Sequence, residues 1–177
     1  MNIFLIGYRC TGKSTVGRGV AEKLNWKFVD ADAELVSDQG CSIAQIVTQC
    51  GWEAFRRIEK SVLARLCESD NQIIATGGGV VLDGENVRCM KKNGPVIWLR
   101  ASAETIYNRM TRDENTIASR PALTDKKTWD EILDTISERQ PLYEAAMSGF
   151  VETDGKTVEA VCTEMVYLLT ERGLKIE

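Results

Sequence analysis

Nine residues near the start of the chain, Gly7-Tyr8-Arg9-Cys10-Thr11-Gly12-Lys13-Ser14-Thr15, carry the spacing G-x-x-x-x-G-K-[ST]. Gly7 and Gly12 admit backbone angles and close approaches that a Cβ would block. Successive N–H groups from Cys10, Thr11, Gly12, Lys13, Ser14 and Thr15, with the start of the next helix, can therefore surround a β-phosphate. Lys13 would bridge β- and γ-phosphates, and the Ser14 hydroxyl would ligate Mg²⁺. The pattern implies a nucleoside triphosphate.

Further along the chain lie residues able to hold an acceptor. Asp30 and Asp32 follow a short apolar run two positions apart, so an extended backbone would project both carboxylates from the same side. One could attend a metal and the other an acceptor hydroxyl. Gly77-Gly78-Gly79 follows another apolar run, and three glycines in a row sacrifice backbone entropy unless something must approach the main chain closely. In Phe55-Arg56-Arg57-Ile58-Glu59 a spacing of three puts Arg56 and Glu59 on one helix face, where the carboxylate can hold the guanidinium. The chain contains 0 His, which excludes His bases, Ser-His-Asp triads and His-ligated metals.

These residues need a scaffold, and 177 residues suffice for one domain burying about 70% of its unfolded surface. With 22 Lys plus Arg against 26 Asp plus Glu the net charge is -4, so no basic excess drives binding to nucleic acid. The first apolar run, Ile3 to Ile6, is too short for a signal peptide or membrane span. The six cysteines, Cys10, Cys41, Cys50, Cys67, Cys89 and Cys162, form no C-x-x-C pair. They read as mostly reduced and buried, which implies a cytoplasmic protein without membrane partners.

Short apolar runs alternate with helical-period segments, the pattern of stacked βαβ units on a parallel sheet in an α/β fold. Strands are expected at Asn2 to Ile6, Lys27 to Val29, Gln72 to Ala75, Pro95 to Leu99 and Phe150 to Glu152. Val16, Val20 and Leu24 mark the first helix, and Val158, Val161, Cys162, Met165 and Leu169 one face of the last. Ser42 with Gln45, and Thr128 with Glu131, have capping-box spacing. Ala33 to Asn71 holds two or three helices, room for a substrate-binding insertion at about 33–61. The polar stretch at about 111–127, with few apolar anchors, reads as a mobile lid.

The phosphate loop alone leaves a switch, a motor or a small-molecule kinase open. No N-K-x-D motif supplies guanine recognition, and the third and fourth strands end in glycines and in Arg100 instead of a magnesium-binding Asp. The acidic pair after the second strand favours the kinase.

In order and approximate spacing, Gly7 to Thr15, Asp30-Ala31-Asp32, Phe55 to Glu59, Gly77 to Gly79, Arg120-Pro121 and Arg139-Gln140-Pro141-Leu142-Tyr143 resemble the shikimate kinases. The similarity spans nearly the whole chain, 1–177. It implies a three-layer α/β/α P-loop kinase fold with a five-stranded parallel sheet in the order 2-3-1-4-5. It also implies transfer of the ATP γ-phosphoryl group to the 3-hydroxyl of shikimate, on the route to chorismate and the aromatic amino acids, by a monomer or weak dimer. By the same resemblance Arg56 and Arg139 face the shikimate carboxylate, and Asp32, Gly78 and Gly79 its ring hydroxyls. Ser14 and Asp30 attend Mg²⁺, the latter through water. Arg120 reaches ATP phosphates from the lid, and Arg109 and Lys156 flank the adenine. Lys13, Asp32 and Arg120 are the catalytic candidates. A gluconate-kinase-like enzyme and a catalytically silent nucleotide-binding regulatory module are the alternatives.

Overall fold

The computed structural model describes residues 1–112 and 128–171. Five strands, β1 (Ile3–Ile6), β2 (Lys27–Asp30), β3 (Gln72–Ala75), β4 (Val96–Arg100) and β5 (Gly149–Glu152), form one parallel sheet in the order β2-β3-β1-β4-β5. This is the expected architecture. Helices α1 (Lys13–Leu24), α2 (Ala31–Gln39), α3 (Ile43–Leu66), α4 (Gly84–Asn93), α5 (Ala103–Arg112), α6 (Thr128–Ala146) and α7 (Val158–Glu171) complete it.

Strand periodicity sorts the helices into two layers. Phe4 and Ile6 of β1 face a core built with Leu35 of α2, Phe55, Val62 and Leu63 of α3, Met90 of α4, and Tyr143 and Ala146 of α6. Ile3 and Leu5 point the other way, onto Val16, Val20 and Leu24 of α1 and Val161, Cys162, Met165 and Leu169 of α7. Being buried on both faces, β1 reads as an unbroken apolar run.

The segment from α2 to α3 holds the expected helices in three pieces, because Gly51 (φ 79, ψ 169) interrupts α3. The Ser42–Gln45 capping box is formed: the Gln45 N–H donates to Ser42 Oγ at 3.2 Å, and the Ser42 N–H to Gln45 Oε1 at 2.8 Å. The Thr128–Glu131 pattern behaves differently, since Glu131 is buried and its carboxylate accepts from Arg9. Val158 is 48% exposed and lies off the buried face of α7. Thr111 and Arg112, the first residues of the stretch expected to form a lid, are the last residues of α5; residues 113–127 lie outside the described residues.

The cysteines are less buried than expected. Only Cys162 is fully buried, Cys50 is exposed, and the other four are intermediate free thiols. Cys89 Sγ donates to Cys67 Sγ at 3.3 Å, and burial, aided by that contact, pushes the Cys67 thiol up to about 12. Among the described residues no helix is long and apolar enough to cross a membrane.

Between α4 and β4, Gly94 (φ 156, ψ -174) occupies a region of backbone space that essentially only glycine enters. A Cβ there would also collide with the carbonyl oxygen of Asn2, the residue just before the central strand. Gly94→Ala is therefore expected to destabilise the protein by about 3 kcal/mol or more, read as a lowered urea midpoint. A variant of unchanged midpoint would show that this turn is free to relax.

Candidate active site

The phosphate loop leaves β1 through Gly7 (φ 137) and enters α1 through Gly12 (φ 95). A Cβ on Gly7 would lie 2.5 Å from the Leu99 carbonyl of the neighbouring strand. Gly12 caps α1 without any side-chain hydrogen bond, which leaves the N–H groups of the first turn directed into the loop. Cys10 adopts φ 62, unusual for a residue with a side chain. Its carbonyl accepts from Arg109 Nη1 at 3.2 Å, and Thr11 Oγ1 donates to the Tyr8 carbonyl at 2.8 Å. The Lys13 ammonium lies across the loop, donating to the carbonyls of Gly7 and Tyr8 at 2.8 Å each.

Asp30 and Asp32 reach the site by a route other than an extended strand. The strand stops at Asp30, which caps α2 by accepting from the Asp32 and Ala33 N–H groups at 3.1 and 3.3 Å. Asp32 therefore sits in the first helical turn. The remaining oxygen of Asp30 accepts from Ser14 Oγ at 2.7 Å, which joins the two metal candidates. Among the described residues no cluster of three or more acidic or thiol side chains could hold a metal. A hydroxyl with one carboxylate suits a hard ion that keeps most of its ligands as water and phosphate oxygens.

On one side of the loop a cavity of about 480 Å³ gathers Asp32, Arg56, Gly78, Gly79 and Arg139, with Glu59 and Gly77. Arg56 Nη1 donates to Glu59 Oε2 at 2.6 Å, and the Arg56 guanidinium carbon lies 5.0 Å from the Phe55 ring centroid and 5.6 Å from that of Trp52. Arg139 Nη1 donates to the Gly78 carbonyl at 3.2 Å, and the Tyr143 hydroxyl to the same carbonyl at 2.5 Å. Burial drives the Tyr143 phenol up to about 12, against the pull of Arg139, so it remains a donor. The glycines explain themselves here: a Cβ on Gly77 would come within 2.6 Å of Glu59 Oε1 and 2.9 Å of Asp32 Oδ1, and one on Gly79 would strike the Arg56 guanidinium. A Cβ on Gly78 would sit 3.4 Å from the Gly7 carbonyl, so this turn rests against the phosphate loop.

On the other side a second cavity, of about 880 Å³, is bounded by Cys10, Thr11, Gly12, Thr15, Arg109 and Lys156. Arg109 is fixed there by Thr153, donating to its hydroxyl and carbonyl at 3.1 Å each. Lys156 lines this cavity while its ammonium pairs with Glu164 at 2.5 Å. Arg120 lies outside the described residues.

Sequence reasoning missed Tyr8, Arg9, Trp52 and Tyr143, of which the first three line the acceptor-side cavity. Arg9 sits inside the loop motif at a position the motif leaves free. Tyr143 follows Arg139 by four residues on one helix, a spacing that could have paired them.

A phosphate loop on a 2-3-1-4-5 parallel sheet, with a polar cavity beside it, defines the class of P-loop kinases acting on small acceptors. The Shikimate kinase family model matches residues 9–170. The chain is 40% identical to the shikimate kinase of Symbiobacterium thermophilum over 98% of both chains, and 40% identical to that of Nitratidesulfovibrio vulgaris over 86% of both. Its structure superposes on that of the Acinetobacter baumannii shikimate kinase in complex with shikimate with a TM-score of 0.90, at 32% identity, covering 98% of this chain and 95% of that one. The chain belongs to the shikimate kinase family.

One carboxylate in the site is unusual. Glu59 is 5% exposed, and its Oε1 is buried without a hydrogen-bond partner. Burial raises its proton affinity above the ordinary 4.5, with Arg56 opposing less strongly. The native protein thus keeps a proton that the unfolded chain has already released just above pH 4.5, so this site's contribution to stability falls as pH rises through that window. Relative to Glu59→Gln, the melting temperature of the unaltered protein should decline as pH increases from there. A difference between the two that does not vary with pH would show that Glu59 does not titrate differently on folding.

Proposed function

We propose that this protein transfers the γ-phosphoryl group of ATP to the 3-hydroxyl of shikimate, giving shikimate 3-phosphate and ADP, on the route to chorismate and the aromatic amino acids. The observation that carries the reading is the contact between the Gly77–Gly79 turn and the phosphate loop, which sets a cavity with paired arginines beside a triphosphate cradle. A nucleotide in the loop and a small carboxylated alcohol in the cavity would then meet end to end.

Phosphoryl transfer needs little covalent help, so acceleration comes from alignment and from neutralising charge. The backbone N–H groups from Cys10 to Thr15 hold the β-phosphate, and Lys13 stands over the loop to meet the transferring group. The base lies toward Arg109 and Lys156. Mg²⁺, when bound, offsets the charge on the β- and γ-phosphates, and Ser14 and Asp30 are the residues that would hold it. Arg120 is assigned to the phosphates by resemblance.

Charge balance divides the work in the acceptor cavity. Arg56 is partly neutralised by Glu59, whereas Arg139 donates to the uncharged Gly78 carbonyl, leaving its charge for the substrate carboxylate. Gly78 and Gly79 put main chain against the ring hydroxyls. Asp32 orients the reacting hydroxyl and takes its proton as the bond to phosphorus forms.

Measuring ATP consumption against shikimate, gluconate and related acids tests the assignment, and preference for any acid other than shikimate would overturn it. Asp32→Asn should lower kcat far more than it weakens ATP binding; equal losses would remove Asp32 from the acceptor. Arg56→Lys should weaken shikimate binding by about 1.5 to 3 kcal/mol, the scale of a charge-assisted hydrogen bond. An unchanged KM for shikimate would place Arg56 outside the site.

A further inference from the structure

Arg9 and Glu131 form an ion pair that none of the assigned roles requires. They are 122 positions apart, and both side chains are at least nine-tenths buried from solvent. Arg9 Nη2 donates to Glu131 Oε1, while its Nε lies 3.3 Å from the Tyr8 hydroxyl and its guanidinium 5.5 Å from the Tyr8 ring centroid. Glu131 opens α6, and eight residues later the same helix carries Arg139, itself bonded to the Gly78 carbonyl. Tyr8 packs with Ile132, the next residue of α6, and with Ile106 and Met110 of α5.

The pair therefore spans the two halves of the site. One end belongs to the loop that wraps a nucleotide phosphate, and the other to the helix that presents the cation for the acceptor's carboxylate. A buried pair of this kind is weak evidence for stability, because removing two charges from water offsets most of their attraction. A simple apolar contact would hold α6 as well. What a charged, directional contact adds is a fixed orientation between loop and helix.

We propose that Glu131 is a positioning residue which, through Arg9, ties the phosphate loop to the helix bearing Arg139, so that nucleotide bound at one end of the site raises affinity for the acid at the other. The inference rests on the acceptor being shikimate. Its basis is linkage: a nucleotide that fixes the loop also fixes Arg9, hence α6, hence the anchor, and the reverse holds equally.

The experiment is calorimetric titration of the protein with shikimate, with and without saturating MgADP, which permits no turnover. In the unaltered protein MgADP should tighten shikimate about fivefold or more, the lower end of ordinary coupling. In Glu131→Gln the factor should fall below about twofold, while shikimate affinity without nucleotide stays within about twofold. A purely structural role would instead lower the melting temperature and leave the factor intact, which overturns the proposal, as does absence of coupling in the unaltered protein. Should Glu131→Gln not fold, the double variant Arg9→Met with Glu131→Met severs the tie without stranding a charge, and retention of the factor there also overturns it. Shikimate that fails to bind at all brings down the acceptor assignment and this inference together. Equal affinity with and without MgADP brings down the inference alone.

Discussion

Parallel pairing of β1 with β3, with Leu5 opposite Ala75, sets the separation between the two loops on which the chemistry depends. Adjacent strands lie about 4.8 Å apart, so chains leaving neighbouring strands in the same direction begin one strand spacing from each other. Here those chains are the phosphate loop and the triple-glycine turn. Thr76 reinforces the arrangement, its N–H and hydroxyl both donating to the Leu5 carbonyl, at 3.1 and 2.9 Å. A slip of one residue in β3 would turn Ile73 and Ile74 to opposite cores and carry the glycines away from Gly7. The same register brings β2 alongside β3, with Asp30 opposite Ala75, and so delivers the acidic pair to the same edge.

Around that edge the charges are arranged in couples. Arg56 with Glu59 and Arg9 with Glu131 each cancel locally, which limits the cost of holding four ionisable groups in a partly dry space. Arg139 on α6 and Asp32 at the start of α2 line the same cavity. Aromatic contacts brace this region: Trp52 meets Phe55 edge-on at 5.7 Å in the cavity wall, and in the core behind it Trp98 stacks on Tyr143 at 5.5 Å. These contacts restrict the drift of the side chains that make them.

The features legible in the sequence were those carried by short spacing. Loop glycines, the lysine and the serine stand in one unbroken stretch, and the strand order followed from family resemblance and was observed. Where a residue's partner is distant the sequence misled. Thr128 and Glu131 have the right spacing for a local cap, yet a guanidinium 122 positions away takes the carboxylate. Asp30 and Asp32 looked like neighbours on a strand, but the first ends that strand by satisfying the N–H groups of a helix. Three glycines in a row imply a close approach to the main chain without naming what approaches; Arg56, Glu59 and Asp32 are what stand closest to Gly77 and Gly79. Apolar periodicity overstated the burial of the cysteines, because a small side chain can follow a helical pattern while lying at its margin.

Tyr143 and Arg139 both grip the carbonyl of Gly78, so the floor of the cavity is made of peptide groups and not of replaceable side chains. Evolution cannot retune such a surface by exchanging Gly77 or Gly79, since a Cβ at either adds an atom where none fits. New preferences among related acids would have to arise in the walls, from Trp52, Phe55 or Tyr8, with the floor inherited unchanged.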